Sequence, residues 1–363
     1  MKTTILTVLI GILLLSACQT SNDIKIGWIG PVSGQSAVLG MDSITAAEIA
    51  VQDVNANGGI NGKTLTLIAE DDQYDTKKTI SAYEKLVNID GVKVIMISTY
   101  SGVFALAERA KEDGVIIIDP LDCNELIASL NENVFCLATA SETIADVIAE
   151  SANTNQDNKI GILYWNNDQF MPYVASVLKE RYSGEIVIKE SYTASTKDFK
   201  TLLGKMISQN VDGIVLLGYD ETGIAMKQAR ELGFTGTFYT TGTITSPSLQ
   251  EVAEGNAEGT IFAFWDAPKD VEPSKSFTEA FIASKGRPAI LDLASYPTYD
   301  TVMAIAQAYK TAKSEKANDF ASALLGVQDM EGVTGKVSFN ENGGVLITEK
   351  PFKLVEGMPV PFK

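Results

Sequence analysis

The sequence predicts an α/β protein built of two doubly wound, mostly parallel lobes. Three observations lead there. Strand-like runs alternate with stretches of helical spacing from Ile24 to Ile118. The same rhythm restarts after Ser141, without a clear repeat in sequence. The chain has 363 residues, more than one ordinary domain holds. Regular β–α alternation gives a mostly parallel sheet covered by helices on both faces.

The elements follow in order. Ile24–Ile29 is a β-type run ended by Gly30-Pro31. Residues 40–57 place Ile44, Ala47, Val51 and Val54 on one helical face, and Gly58-Gly59 stops them. Thr64–Ala69 reads as strand, Asp75–Asn88 as helix, Val92–Ile97 as strand, 102–113 as helix and Val115–Ile118 as strand. In the second half, strands are expected at Lys159–Tyr164, Glu185–Ile188, Gly213–Leu217, Thr237–Thr240 and Thr260–Phe264. Helices near 142–153, 168–181, 198–209 and 221–232 separate them. The tail gives helices near 274–284, 293–312 and 316–327, then strands at 333–339 and 345–355. Because this tail belongs to neither half alone, several segments are expected to cross at a hinge.

The N-terminus sets the expected compartment. Lys2 precedes an apolar run from Ile5 to Leu15, too short to span a bilayer core, which needs ~20 residues. That layout is a signal peptide over residues 1–17. Leu15-Ser16-Ala17-Cys18 resembles a bacterial lipobox, which implies lipidation of Cys18 and a polar tether over 18–23. The alternative is an ordinary signal peptide with Cys18 incidental. Removing residues 1–17 leaves 346.

Composition excludes several functions. A formal net charge of −17 argues against nucleic acid, whose affinity rests on Lys and Arg contacts to phosphate. The chain has no histidine, which removes the commonest general base and a preferred zinc ligand. No phosphate-binding loop, dinucleotide fingerprint, nucleophile elbow or metalloprotease motif is present. No cofactor or metal is expected, and Asp71-Asp72 reads as surface or helix-start charge. Cys123 and Cys136 are an even pair in an exported chain; they are either bridged or two free buried thiols.

Ligands of open α/β sheets bind beyond the carboxyl ends of the strands. Those ends carry Gly30–Ser36, Ser98-Thr99-Tyr100-Ser101-Gly102 and Asp119–Asn124 in the first half. In the second half they carry Tyr164–Phe170 and Gly218–Glu221. Aromatic walls with a few polar groups suit a small organic ligand. Each of these residues could equally cap a helix or pack in the core.

Several segments together resemble the branched-chain amino acid (leucine/isoleucine/valine) binding proteins. They are Ile24–Gly27 through Gly30-Pro31-Val32-Ser33-Gly34, then Asp53–Gly62 with Asp71, Asp72 and Asp75, Asp198-Phe199, and Asp300 after Tyr299. The resemblance covers about residues 24–355. It implies the type I periplasmic-binding fold, with three crossovers near 139–142, 264–268 and 330–335. Residues 24–140 plus 266–332 would form the N-terminal lobe, and 141–265 plus 333–363 the C-terminal lobe. It also implies a monomeric extracytoplasmic solute-binding protein, not an enzyme, that closes on a small ligand and serves an ABC permease. A ligand-sensing module acting through a separate partner is the alternative.

Carried over residue by residue, the resemblance assigns ligand contacts to Ser98, Tyr100, Ser101, Leu121, Asp122, Cys123, Phe170, Tyr219 and Gly242. Tyr100 and Ser101 match the loop that takes a ligand carboxylate. The acidic residue that holds the ligand's ammonium maps to Thr241-Gly242-Thr243, where there is no carboxylate. A first-loop tyrosine appears as Leu39, and the family's disulfide positions hold Tyr74 and Thr99. An unpaired buried charge costs several kcal/mol. These departures therefore imply changed specificity, toward an amide, an amine or an unusual amino acid.

Overall fold

The computed structural model describes residues 23–34, 36–314 and 316–363. The expected signal peptide, Cys18, and all of the tether but Asp23 lie outside the described residues. The first strands are β1 (Ile24–Gly30), β2 (Leu65–Asp71), β3 (Val94–Ile97), β4 (Ile116–Asp119), β5 (Asp122–Cys123) and β6 (Val134–Ala140). The second set is β7 (Lys159–Trp165), β8 (Glu185–Tyr192), β9 (Gly213–Leu217), β10 (Thr237–Thr240) and β11 (Ile261–Phe264). The tail adds a small hairpin, β12 (Met330–Gly332) and β13 (Gly335–Val337). It ends with β14 (Gly344–Ile347), β15 (Lys350–Val355) and β16 (Met358–Pro361).

One sheet runs β14-β6-β4-β3-β1-β2, with β5 also on β6, and every pairing in it is parallel. The other runs β16-β15-β11-β10-β9-β7-β8 and is parallel from β11 to β8, with β15 and β16 antiparallel at its edge. The all-apolar strands follow from burial on both faces. Along β3, Ile95 and Ile97 join one core while Val94 and Met96 join the other. β4 divides likewise, with Ile117 on one side and Ile116 and Ile118 on the other.

Local signals set the helix ends. Asp75 accepts from the backbone N–H groups of Lys77 (2.9 Å) and Lys78 (3.2 Å), capping the helix Thr76–Asn88. Gly114, at φ 64°, ends the helix Tyr100–Asp113 in the left-handed conformation that glycine adopts at little cost. Bidentate hydrogen bonds from Arg287 to buried Asp42 (2.7 and 3.1 Å) tie the helix Ala37–Ala56 to the segment after the helix Ser274–Lys285.

The chain passes between the two sheets three times. β6 ends at Ala140 and the helix Ser141–Thr154 packs on the second sheet. After β11 the chain returns to helices packed on the first. The third passage corrects the expectation of 330–335: β14 pairs with β6, β15 pairs with β11, and the crossing is Thr348-Glu349. The run 345–355 therefore belongs to two sheets, and the first sheet keeps the chain as far as Ile347. The apolar pattern hides this because each half of the run alternates normally against its own sheet. β6, an apolar run where no strand is expected from the sequence, lies inside the first sheet beside β4.

Candidate functional site

A cavity lies between the sheets at their carboxyl ends, where open α/β folds bind ligands. The space it encloses is small, ≈ 40 Å³, a few times the ~10–15 Å³ that one water molecule needs. From the first half it is lined by Leu39, Tyr74, Leu121 and Asp122, with Leu293 at the start of the helix Asp292–Thr311. From the second it is lined by Ile144, Phe170, Met171, Tyr219 and the run Thr241-Gly242-Thr243. The crossing segments supply Thr139 and Glu349.

Each wall is built locally. Beyond β2, Gln73 and Tyr74 both sit in the left-handed region, φ 54° and 58°. Asp72 holds that turn: it accepts from the Tyr74 N–H (2.9 Å) and from the hydroxyls of Thr79 (2.7 Å) and Thr99 (2.5 Å). Asp72 is fully buried, so the reading of Asp71-Asp72 as surface charge fails for the second residue. Beyond β4, Asp119 accepts from the backbone N–H groups of Leu121 (2.9 Å) and Asp122 (3.0 Å), turning Asp122 toward the cavity. Cys123 is joined to Cys136 by a disulfide, which fastens this turn to β6. On the opposite wall, Glu221 accepts from the Tyr219 N–H (3.2 Å) and the Tyr192 hydroxyl (2.8 Å), fixing the turn after β9.

Rings close the site from both sides. Tyr74 of the first half meets Trp165 and Tyr219 of the second, each with centroids 6.0 Å apart, and Trp165 and Tyr219 lie 5.3 Å apart, edge to face. Below them the Ser101 N–H donates to Asp168 Oδ2 (3.0 Å), and the Ser101 hydroxyl accepts from the Gln169 N–H (3.0 Å). The structure is thus a closed one, with the two halves hydrogen-bonded across the cleft.

Acidity concentrates here. Asp122 is 5 % exposed and Glu349 4 % exposed, and neither Oδ2 of the first nor Oε2 of the second has a hydrogen-bond partner in the protein. Burial pushes the Glu349 carboxyl up to about 8, against a hydrogen bond from Thr139. Burial also drives Asp122 well above the carboxylate range, with Asp119, Asp168 and Glu349 adding repulsion. Asp119 is pushed up to about 8, chiefly by burial. No Lys or Arg is among the described lining residues.

Of the expected contacts, Leu121, Asp122, Phe170, Tyr219 and Gly242 are brought together around the cavity. Four others are not. Ser98 is sealed beneath the loop after β3, and Cys123 is turned into its disulfide. Tyr100 packs on Phe104, Phe170 and Tyr173 and accepts from the Asn124 amide (3.1 Å). Ser101 is engaged with Asp168 and Gln169. Neither Tyr100 nor Ser101 lines the cavity, so the carboxylate-binding role expected of them is not met in this closed form. Tyr74, Thr139, Ile144, Met171, Leu293 and Glu349 also line the cavity without having been expected as contacts. In the sequence Tyr74 stands out only as a departure at a disulfide position, and Glu349 carries no signal because its place depends on the third crossing.

Residues 23–356 match the periplasmic binding protein family. The chain belongs to that family. Its members are substrate-binding proteins and not enzymes, and they lie outside the cytoplasm. Similar curated proteins include the Leu/Ile/Val-binding protein of Citrobacter freundii, 27% identical over 91% of this chain and 90% of that one. The leucine-specific-binding protein of Salmonella typhimurium is 28% identical over 94% of each. Among solved structures, the branched-chain amino acid transporter substrate binding protein LivJ of Streptococcus pneumoniae, bound to isoleucine, is 25% identical. It matches with a TM-score of 0.82 over 93% of this chain and 97% of that one. A Rhodopseudomonas palustris solute binding protein in complex with benzoate shares the fold, with a TM-score of 0.79 at 17% identity over 93% and 95%. Among the described residues no helix of this periplasmic binding protein is long and apolar enough to cross a membrane.

Proposed function

We propose that this periplasmic binding protein captures a small, polar, nitrogen-bearing solute between its two lobes and delivers it to an ABC permease. A lipid on Cys18 anchors it to the outer face of the membrane, and it acts as a monomer. The observation that carries the reading is the cavity whose walls come from both halves, Asp122 on one side and Tyr219 on the other. A ligand touching both walls favours the closed form over the open one, and only that difference can drive closure. Phe170, Leu121 and Gly242 supply the apolar remainder of the wall, which suits a short carbon skeleton. The Leu/Ile/Val-binding and leucine-specific relatives support an amino-acid-like ligand, and the missing carboxylate at Thr241-Gly242-Thr243 extends the class to an amide or amine.

The test is mass spectrometry of small molecules released on denaturing the purified protein, paired with solution scattering before and after their removal. A released nitrogen compound, with a larger radius of gyration once it is gone, is the expected result. Protein that releases nothing and keeps one radius under all ligands would overturn the reading.

A further inference from the structure

The ligand-facing acids lie where the amino-acid binders of the resemblance do not place theirs. The position that would hold an ammonium is Thr241-Gly242-Thr243. Its hydroxyls are turned on the protein: Thr243 donates to the Gly218 carbonyl (3.1 Å) and shares a hydrogen bond with Thr241 (2.8 Å). The acids stand opposite, Asp122 from the turn after β4 and Glu349 from the third crossing, each with one buried oxygen facing no donor. The residues that would receive a ligand carboxylate stand outside the cavity lining and meet partners within the protein. Tyr100 meets Asn124, and Ser101 meets Asp168 and Gln169.

From this we infer that the cavity is a site for an organic ammonium cation that carries no carboxylate, held between Asp122 and Glu349 against the rings of Tyr74, Tyr219 and Phe170. The inference rests on the solute-binding reading and names its ligand class. An ammonium N–H donor supplies the missing partners of both oxygens as charge-assisted hydrogen bonds. The ring faces add cation–π attraction in a site removed from water. A carboxylate on the same ligand would stand among Asp119, Asp122, Asp168 and Glu349 with no cation to meet it. A metal ion fits less well, because among the described residues no group of three or more His, Cys, Asp or Glu is arranged to hold one.

Calorimetric titration of ligand-stripped protein with n-butylammonium, putrescine, butyramide and leucine tests this, using the wild type, Asp122→Asn and Glu349→Gln. Both substitutions keep side-chain shape, and circular dichroism melts check that each variant folds. At least one ammonium should bind, with butyramide and leucine at least 100-fold weaker, and each variant should lose 10-fold or more for that ammonium. Tighter binding of leucine or butyramide than of either ammonium would overturn the inference and leave the solute-binding reading standing. So would an ammonium affinity unchanged within twofold in both variants. If none of the four binds, the cation assignment fails, and the release and scattering experiment above decides the broader reading by itself.

Discussion

Ser101 and Asp168 join the two lobes directly: the Ser101 backbone N–H donates to Asp168 Oδ2 at 3.0 Å across the cleft. The Phe170 N–H donates to the other oxygen at 2.8 Å, so one carboxylate positions a cavity residue and latches the closed form. Burial raises its proton affinity, against hydrogen bonds from the Ser101 side chain and from the backbone N–H groups of Phe170, Ser101 and Gln169.

Asp168→Ala should therefore loosen closure. A hydrogen bond to a charged group is worth about 1.5–3 kcal/mol, which corresponds to roughly a tenfold or greater loss of ligand affinity. Ser101→Ala removes the hydroxyl, which accepts from Gln169 and meets Asp168, but keeps the backbone N–H bond to Asp168 and should cost less. Titration with the released ligand measures the affinities, and scattering should show Asp168→Ala more open. Wild-type affinity in both variants would show that this contact does not hold the lobes together.

The acids should make the ligand-free protein less stable as pH rises. Burial holds the Asp119 and Glu349 carboxyls up to about 8 and Asp122 well above its ordinary value. Unfolded, these groups titrate near ~4. Between those limits the folded chain holds protons that the unfolded chain releases. This stabilising contribution is complete below about pH 4 and is lost as pH climbs through about 8. Thermal melts of stripped protein from pH 5 to 9 should fall in that window, and Glu349→Gln should flatten the fall. A melting temperature that rises with pH from 5 to 8 would contradict the assignment.

Among the described residues, Arg287→Ala leaves Asp42, nearly unexposed, with the Ile290 N–H (2.6 Å) as its remaining long-range donor. Removing one partner of a buried ion pair costs ~3–5 kcal/mol. Arg287 is 35% exposed, so about 2–3 kcal/mol is expected here. Urea unfolding checks it, and Arg287→Lys should recover only part, because the ammonium lacks the planar fork.

The Cys123–Cys136 bridge closes a 13-residue separation. Such a loop contributes about 2–4 kcal/mol by constraining the unfolded chain. The double substitution Cys123→Ala, Cys136→Ala should lower stability by that amount. It should also weaken ligand binding, because Asp122 sits next to the bridge. Non-reducing peptide mapping should recover the two cysteines as one linked pair.

The sequence by itself determined the alternation of elements, the two-lobe architecture and the turns beyond the strands where a ligand would sit. Periodicity is a local property: Ile95 and Ile97 against Val94 and Met96, or Asp75 before a helix, declare their surroundings within a few residues. Beside the family resemblance, the sequence also shows no carboxylate at Thr241-Gly242-Thr243, where that resemblance implies one. Only the tertiary structure decided what replaced it. Glu349 becomes a cavity residue because β14 and β15 join different sheets, and nothing within the run 345–355 records which sheet each half will pair with. Tyr100 and Ser101 went the other way, withdrawn from the cavity by Asn124, Asp168 and Gln169, partners 24 to 68 residues distant in the chain. Long-range pairing settles where a side chain finds its hydrogen bonds, and so which donors and acceptors are left to face a ligand.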